Sequence, residues 1–327
     1  MSAKKLLYIF IFLALVPLSA HAHVGYVLND QELADSKGLD WGFVFSVLNN
    51  GINLIVMGVT LLFVALLLMY WKHIPLLKKE IKNIKKTLES YNEFIPWILR
   101  LSLGIALIGA GASEVLLSPA LSGYASLATL QIFIGFLLLA GFLLPFATIA
   151  ALLIGLYGIY EDVYLLGNID FLMGALALFI LADARPGLDD IIGIPFASFL
   201  KKLKEYVPFI LRVGVGGAMT YLAIYEKFLN PHASALVITN YGLTNVIPVS
   251  PEMWVFSAGA VELLVGLLIL TGLRTRLVSA IAFLVLSLSF FYFGEDVYSH
   301  ITLFGILSAI FVLGGGKWSI DAWIKSK

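Results

Sequence analysis

The sequence predicts an all-α integral membrane protein with two parallel four-helix-bundle repeats and one N-terminal transmembrane helix. Three observations lead to this fold class. Of the 327 residues, 60% are hydrophobic and only 13% are charged, whereas a soluble domain is about half apolar and about a quarter charged. Apolar segments follow an N-terminal leader, and the later ones form two matching sets of four. Lysine and arginine collect in alternate connections between these segments.

The composition also excludes several kinds of chemistry. The chain has no cysteine, so disulfides, thiolate metal sites and iron–sulfur ligation by cysteine are ruled out. Its formal net charge is zero, and it carries no nucleotide-binding, metal-binding or hydrolase motif. We therefore expect no metal site and no nucleic-acid partner. The lipid bilayer is the first partner that the composition implies.

The first 22 residues are typical of a secretory signal peptide. Lys4 and Lys5 form a basic start, the apolar run LLYIFIFLALV follows, and Ala-His-Ala at 20–22 fits a cleavage site. The apolar run is short for a membrane span, which favours cleavage over anchoring. The polar residues 23–42 are then expected outside the cell, ahead of the first membrane helix.

The remaining chain divides into five predicted parts. A transmembrane helix at 43–71 leads into a lysine-rich cytoplasmic connector at 72–92. Residues 93–191 carry the first set of four apolar segments, and we call them the first half. A cytoplasmic linker at 192–204 joins them to the second half, residues 205–327.

The two halves repeat one pattern. EFIPWILRLSLGIALIGAGASEVLLSP at 93–119 aligns without a gap with EYVPFILRVGVGGAMTYLAIYEKFLNP at 205–231, and YEDVY at 160–164 matches GEDVY at 294–298. Because four helices is an even number, both halves have the same orientation and are parallel repeats, unlike the inverted repeats of many transporters. The segments are predicted at 95–117, 126–146, 147–160 and 168–183, and at 207–229, 253–273, 277–293 and 300–316.

The basic residues predict the orientation. With the N-terminus outside, fifteen lysines and arginines fall on the cytoplasmic side, and only Lys37 and Lys227 fall on the other. This asymmetry is the positive-inside pattern. We therefore expect a multi-pass protein of the plasma membrane with its mature N-terminus outside and its C-terminus in the cytoplasm.

Charged side chains within the apolar segments are the first functional candidates. In the first helix of the second half, Arg212, Gly216 and Glu226 share one stripe at 100° per residue. The small residue permits close helix contact, so the stripe faces other helices rather than lipid. Arg212 and Glu226 lie about 21 Å apart along the axis and therefore do not pair. Arg212 is a candidate ligand-binding residue or, alternatively, an anchor at the inner interface.

Glu262 is the most costly side chain in the apolar segments. It lies near mid-span between Gly259 and Gly266, so its carboxylate should point into the bundle. A central acidic residue costs roughly 2.5–3.5 kcal/mol to insert, so it should be paired, protonated or functional. The first half has Gln131 at the matching place, which predicts a working second half and a scaffolding first half. A purely structural hydrogen bond is the alternative.

Charged and aromatic side chains are expected to converge at the outer face of the second half. Histidine is the side chain most easily tuned for proton transfer near neutral pH. We therefore expect His300 and Glu262 to be catalytic, with an ordinary residue of the membrane interface as the alternative for His300. The other residues are expected to bind a quinone or another small molecule, with solvated acids and helix caps as the alternative for the loop carboxylates. The converging residues are Glu226, Lys227, Glu295, Asp296, Tyr298 and His300.

These motifs together resemble the DoxX/DoxD family of four-helix membrane proteins. The similarity lies in LRVGVGGAMTYLAIYEKFLNP, VELLVGLLILTGLRTRLVSAIAFL and HITLFGILSAIFVLGGGKWSID. They provide an Arg-x-x-x-Gly opening, a Glu/Lys-x-x-x-Pro close, a glycine-rich helix with its glutamate, and a terminal Ser-x-Asp. Residues 205–324 carry this pattern. Residues 93–191 are similar to a degenerate copy that lacks the histidine, the helix glutamate and the motif serine.

The resemblance implies three classes of function. Some members of the family are membrane subunits of a thiosulfate:quinone oxidoreductase, so we expect a membrane subunit of a quinone-linked sulfur or respiratory system with an extracytoplasmic or membrane redox partner. No motif encodes a cofactor, and a quinone is the one candidate. The alternatives are a proton-coupled transporter or binding protein for a small solute, and a structural anchor or chaperone for an exported partner.

Overall fold

The computed structural model describes residue 28 and residues 30–36, 38–70, 87–194 and 200–326. Within these ranges the regular secondary structure is helical, apart from one isolated bridge between Val115 and Ser122. The all-α class is therefore confirmed. The predicted signal peptide and most of the basic connector lie outside the described residues.

The segment ahead of the first half is broken into short and long helices. They are α1 (Asp30–Ser36), α2 (Phe43–Leu48) and α3 (Gly51–Tyr70). The prediction of one continuous helix at 43–71 was wrong, because the helix is interrupted at Asn49 and Asn50. Asn50 accepts a hydrogen bond from a backbone N–H of α3, and Asn53 donates one to the carbonyl of Val47 across the break. These side chains offer the backbone an alternative to continued helix.

The two halves contain the eight apolar helices that the sequence predicts. The first half has α4 (Ile95–Ala112), α5 (Ala125–Ala140), α6 (Leu144–Glu161), α7 (Ile169–Leu181) and the short α8 (Leu188–Ile192). The second half has α9 (Val207–Leu222), α10 (Pro231–Asn240), α11 (Pro251–Thr271), α12 (Thr275–Phe293), α13 (Val297–Leu313) and α14 (Ile320–Ser326). Six of the described helices are long and apolar enough to cross a membrane, and α5 and α13 are shorter apolar helices.

The connection between α9 and α11 is helical, although a loop was predicted at 232–252. α9 continues through a π turn at Ala223–Leu229, and α10 begins at Pro231. A proline in the first turn of a helix loses no hydrogen bond, because that N–H has no partner within the helix. The proline therefore starts α10 here, and α10 packs on α11 and α1.

The first helix of each half packs against the fourth apolar helix of the other half. α4 lies against α5 and α13, and α9 lies against α11 and α7. Glycines allow two of these contacts, because Gly109 of α4 meets the side chain of Tyr298 and Gly214 of α9 meets that of Met173. One hydrophobic core takes buried residues from both halves. The halves therefore share one helical body, and the repeat of two separate bundles stays a prediction.

Equivalent arginines fix helix ends in both halves. Arg100 donates a hydrogen bond to the carbonyl of Leu138 at the end of α5, and Arg212 donates one to that of Leu270 at the end of α11. Both side chains are buried, with 1% and 0% of their surface exposed. The last carbonyls of a helix lack partners within it, and a cation is favourable beside them. The arginines therefore satisfy backbone groups that would otherwise be orphaned in the membrane.

Equivalent aspartates cap helices that are more than 40 residues away in the sequence. Asp189 accepts hydrogen bonds from the first backbone N–H groups of α6, and Asp321 accepts them from those of α12. Arg100 and Arg212 donate to carbonyls three residues before these aspartates. The repeated sequences RPGLD and KWSID thus join the ends of three helices in each half, a role that their sequence similarity did not reveal.

Candidate functional site

A π turn at the end of α9 directs two consecutive charged side chains into the protein. Neighbouring residues of a regular α-helix point about 100° apart, yet Glu226 and Lys227 are both buried, with 5% and 0% of their surface exposed. Lys227 Nζ donates a hydrogen bond to Glu226 Oε2 over 3.1 Å. Single π turns within helices are frequent at functional sites. This one places an ion pair inside the apolar body.

Glu262 of α11 adds a second carboxylate to this ion pair. It is 5% exposed and interacts electrostatically with Lys227 and Glu226. Gly259 makes room for the lysine, because a Cβ there would lie 2.6 Å from Lys227 Cβ. Among the described residues, Glu262 Oε2 has no hydrogen-bond partner. One ammonium cannot neutralise two carboxylates, so this group either binds a proton or carries a net negative charge in a region of low dielectric.

Gln131 of α5 occupies the matching place in the first half. Its Oε1 accepts a hydrogen bond from the backbone N–H of Leu117 over 3.2 Å, and its Nε2 donates one to the carbonyl of Val115 over 2.8 Å. The amide therefore has a partner for each end and holds the chain after α4 in place. A carboxylate could not donate to Val115. Glutamine thus makes a structural contact where the second half has an unsatisfied acid.

The first half also contributes a side chain to the group of Glu226, Lys227 and Glu262, called the Glu226 group below. The Tyr164 hydroxyl donates a hydrogen bond to Glu226 Oε1. The Tyr164 ring also contacts the ring of Tyr225, with their centroids 5.7 Å apart. Sequence reasoning missed this residue because it treated the first half as a scaffold. The match of YEDVY with GEDVY pairs Tyr164 with Tyr298, and that match was a signal that could have identified it.

A second buried group lies at the start of α13. His300 Nε2 is 3.1 Å from Glu295 Oε2, and the two side chains are almost fully buried. His300 Nδ1 is 2.8 Å from the hydroxyl of Ser299, which donates to the carbonyl of Asp296. The ring of Phe290 packs edge-on against the imidazole at 5.8 Å. The predicted association of Glu295 with His300 is therefore present in the structure.

Asp170 in the first turn of α7 is a further buried acid, and sequence reasoning missed it. It is 5% exposed and lies inside the apolar body. An acidic residue inside an apolar run was the signal that identified Glu262, and the sequence NIDFLMGALALF carries the same signal. In the ranges that the structure describes, no three His, Cys, Asp or Glu side chains lie close enough to hold a metal ion.

Three predicted site residues lie apart from these groups. Asp296 is exposed. Tyr298 packs against Gly109 and interacts with Ser113 of the first half. Arg212 is at the opposite end of α9 and donates to helix-end carbonyls. Among the six outer residues the structure shows two close pairs, Glu226 with Lys227 and Glu295 with His300, and the convergence of all six at one point stays a prediction.

Comparison with known protein families gives a match to one part of the chain. The family model described as DoxX matches residues 207–295. This range includes Arg212, Glu226, Lys227, Glu262 and Glu295 and ends before His300. No match was found among curated proteins or among solved structures.

Proposed function

We propose that this chain, which carries a DoxX-family region at residues 207–295, is the membrane subunit of a quinone-linked sulfur or respiratory redox system. The observation that carries the proposal is the buried group of Glu226, Lys227 and Glu262. A charged residue inside a membrane helix is costly, and such residues mark substrate and proton pathways. Here three of them meet within one apolar body.

The chemistry of this group suits a quinone head group. A quinone carbonyl accepts hydrogen bonds, and reduction to the quinol adds two electrons and two protons. The Lys227 ammonium can donate to a carbonyl, and a protonated Glu262 can do so through its unsatisfied oxygen. Glu262 and His300 would exchange protons with the bound head group, since carboxyl and imidazole groups are the usual acids and bases of enzymes.

The electrons would come from a partner. The chain has no cysteine to ligate an iron–sulfur cluster. We therefore propose a redox partner subunit that docks from the extracytoplasmic side or within the membrane. The proposal places the protein in the plasma membrane with its mature N-terminus outside, in agreement with the distribution of lysine and arginine.

Quinone binding tests this function directly. The protein would be purified from native membranes, and its bound lipids would be extracted and searched for quinone. Short-chain ubiquinone and menaquinone would then be titrated into protein in lipid nanodiscs. We expect Glu262→Leu to weaken binding by about twofold to tenfold, because it removes the donor of a protonated Glu262 and a neutral hydrogen bond contributes roughly 0.5–1.5 kcal/mol.

Glu252→Leu is the matched control. It makes the same chemical change on the same helix, but Glu252 is exposed in the first turn of α11. It should leave the affinity unchanged. If wild-type protein holds no quinone and binds neither probe, the redox function is wrong.

The two alternative functions predict different results with the same preparation. A proton-coupled transporter would acidify or alkalinise the lumen of liposomes when its solute is added, and Glu262→Gln would abolish this change. An anchor or chaperone would copurify with one exported protein, and Glu262→Gln would not alter that association. Quinone binding without solute-dependent proton movement supports the redox function.

A further inference from the structure

We propose that Tyr164 of the first half is a positioning residue of the Glu226 group. Its hydroxyl holds one oxygen of the Glu226 carboxylate, while Lys227 holds the other. This direct contact extends the site into the half that the sequence predicted to be a scaffold. The use of the contact for quinone binding rests on the proposed function. Its test uses protein without quinone, so the two can fail independently.

The two carboxylate oxygens of Glu226 have different donors. The Tyr164 hydroxyl donates to Oε1, and the Lys227 ammonium donates to Oε2 over 3.1 Å. Both charged side chains are buried, where a charge is costly unless it is paired and hydrogen-bonded. Hydrogen bonds to an ionised group are also the stronger ones. Tyr164 therefore fixes the rotation of the carboxylate and leaves Oε2 to the ammonium.

The backbone of Tyr164 is fixed within the first half. Asp162 caps the short helical segment Val163–Asn168, and its side chain accepts a hydrogen bond from the Tyr164 N–H over 2.8 Å. The next residue, Leu165, is buried and packs on Gly158 of α6, where a Cβ would lie 2.7 Å from its side chain. The tyrosine hydroxyl is therefore carried by a rigid segment, as precise positioning requires.

Two further tyrosines hold this segment against the second half. The Tyr221 hydroxyl of α9 donates to the carbonyl of Val163 over 3.2 Å. The ring of Tyr221 stacks on that of Tyr225 in the π turn, with centroids 5.6 Å apart, and Tyr225 contacts the Tyr164 ring. At this junction between the halves, Tyr221 thus donates to the backbone and Tyr164 donates to the buried carboxylate.

This arrangement allows Lys227 to serve a ligand. In the proposed function its ammonium donates to a quinone carbonyl, which draws it partly away from Glu226. Breaking a buried ion pair is strongly unfavourable when one charge is left without a partner. The Tyr164 hydroxyl stays on Oε1 during this exchange, so the carboxylate keeps a donor. Tyr164 therefore acts through Glu226.

Carbon NMR of ¹³C-labelled glutamate carboxyl groups tests this role in nanodiscs without quinone. The signal that is absent from Glu226→Gln protein belongs to Glu226. Tyr164→Phe removes one hydroxyl and keeps the ring, so the carboxylate loses a hydrogen bond while the aromatic contacts remain. We expect the Glu226 signal to shift by more than its line width.

Tyr221→Phe is the matched control. It removes a hydroxyl from the same junction, but that hydroxyl donates to the carbonyl of Val163. If Tyr164 only joined the two halves, both substitutions would act alike. We expect Tyr221→Phe to leave the Glu226 signal unshifted. An unshifted signal in Tyr164→Phe, or an equal shift in Tyr221→Phe, overturns the inference.

A double-mutant cycle measures the strength of the contact. Tyr164→Phe should lower the folded-to-unfolded ratio about 10-fold to 100-fold when Glu226 is present, because the lost hydrogen bond is to a charged group. In Glu226→Gln protein the same substitution removes a neutral hydrogen bond and should lower the ratio by about tenfold at most. Equal losses in the two backgrounds would mean that Tyr164 does not act on the charge of Glu226.

A further measurement does not require Tyr164→Phe to fold. With tyrosine labelled with ¹³C at Cζ, the signals report the hydrogen bonds of the hydroxyl groups. Glu226→Gln replaces a carboxylate acceptor by a neutral amide, so one tyrosine signal should move. If all tyrosine signals stay in place, no tyrosine hydroxyl donates to Glu226, and the positioning role is wrong.

Discussion

Lys227 places its ammonium 3.1 Å from Glu226 Oε2 while neither residue exposes more than 5% of its surface. Glu262 also interacts electrostatically with the Lys227 ammonium, so this one cation faces two buried carboxylates. We predict that Lys227→Met destabilises the protein by about 3–5 kcal/mol, the usual effect of removing one partner from a buried ion pair. Thermal unfolding in detergent measures this loss.

The double variant separates charge from shape. Lys227→Met with Glu226→Gln removes both members of the pair and keeps the side-chain volumes similar. It should recover part of the stability, because replacing a buried pair is far less costly than breaking it, while Glu262 still lacks its cation. If the double variant is no more stable than Lys227→Met alone, the lysine acts through packing and not through its charge.

The contrast between Glu262 and Gln131 gives a second prediction. Glu262→Gln copies the residue of the first half, so folding should survive while activity falls, because shape and hydrogen bonding are kept and the ionisable proton is lost. Gln131→Glu should instead cost about 1–3 kcal/mol, because the carbonyl of Val115 loses its donor. Activity and melting temperature of both variants, measured side by side, check the two effects.

The outcome that contradicts this second prediction is specific. If Glu262→Gln unfolds the protein, the glutamate makes a structural hydrogen bond, and the functional assignment of α11 is wrong. If Gln131→Glu folds as well as the wild type, the amide hydrogen bonds do not hold the chain after α4. His300→Leu, which copies Leu166 of the first half, should also fold normally.

A third prediction concerns the arginines. Arg212 donates to the carbonyls of Ile269, Leu270 and Trp318. Lysine has the charge but not the planar fork of donors, so Arg212→Lys should leave at least one buried carbonyl unsatisfied and cost about 1–3 kcal/mol. Chemical denaturation or thermal unfolding can measure the change.

Arg185→Lys is the control for this prediction. The side chain of Arg185 is 70% exposed and pairs with Asp183 on the surface, where such a pair contributes at most about 1 kcal/mol. Its substitution should be nearly neutral. Equal effects of the two substitutions would mean that the helix-end contacts of Arg212 add little to stability.

The helices could be predicted well from the sequence because few backbone conformations are stable in a lipid bilayer. Each backbone polar group must be satisfied within the membrane, so long apolar runs become helices, and α4–α7, α9 and α11–α13 match the eight predicted segments. The prediction failed at asparagine and proline residues, whose effect depends on their surroundings. Asn49 and Asn50 break a helix within a segment that is apolar on average, and Pro231 begins a helix where a loop was expected.

The site was only partly predictable because its contacts depend on packing between halves. Glu262 was identified from the cost of burying charge, and Lys227 and His300 from the charged and aromatic side chains expected at the outer face. Tyr164 and Asp170 were missed because α7 reaches across to α9 and α13, and periodicity within one helix carries no information about its neighbours. Arg212 donates to backbone carbonyls, which agrees with the alternative that it is an anchor, and its role in ligand binding stays a prediction.

A last prediction tests the orientation with single cysteines in this cysteine-free chain. Ser90 and Thr239 are exposed. In the predicted topology Ser90 lies on the cytoplasmic side of the membrane and Thr239 on the outer side. An impermeant maleimide added to intact cells should label Thr239→Cys and not Ser90→Cys, whereas inside-out vesicles should give the reverse. Ser234→Cys is the control, because Ser234 is fully buried and donates to the carbonyl of Glu226, so it should react only after denaturation. If Ser90→Cys and Thr239→Cys react from the same side, the positive-inside orientation is wrong, and the Glu226 and His300 groups do not lie near the outer surface.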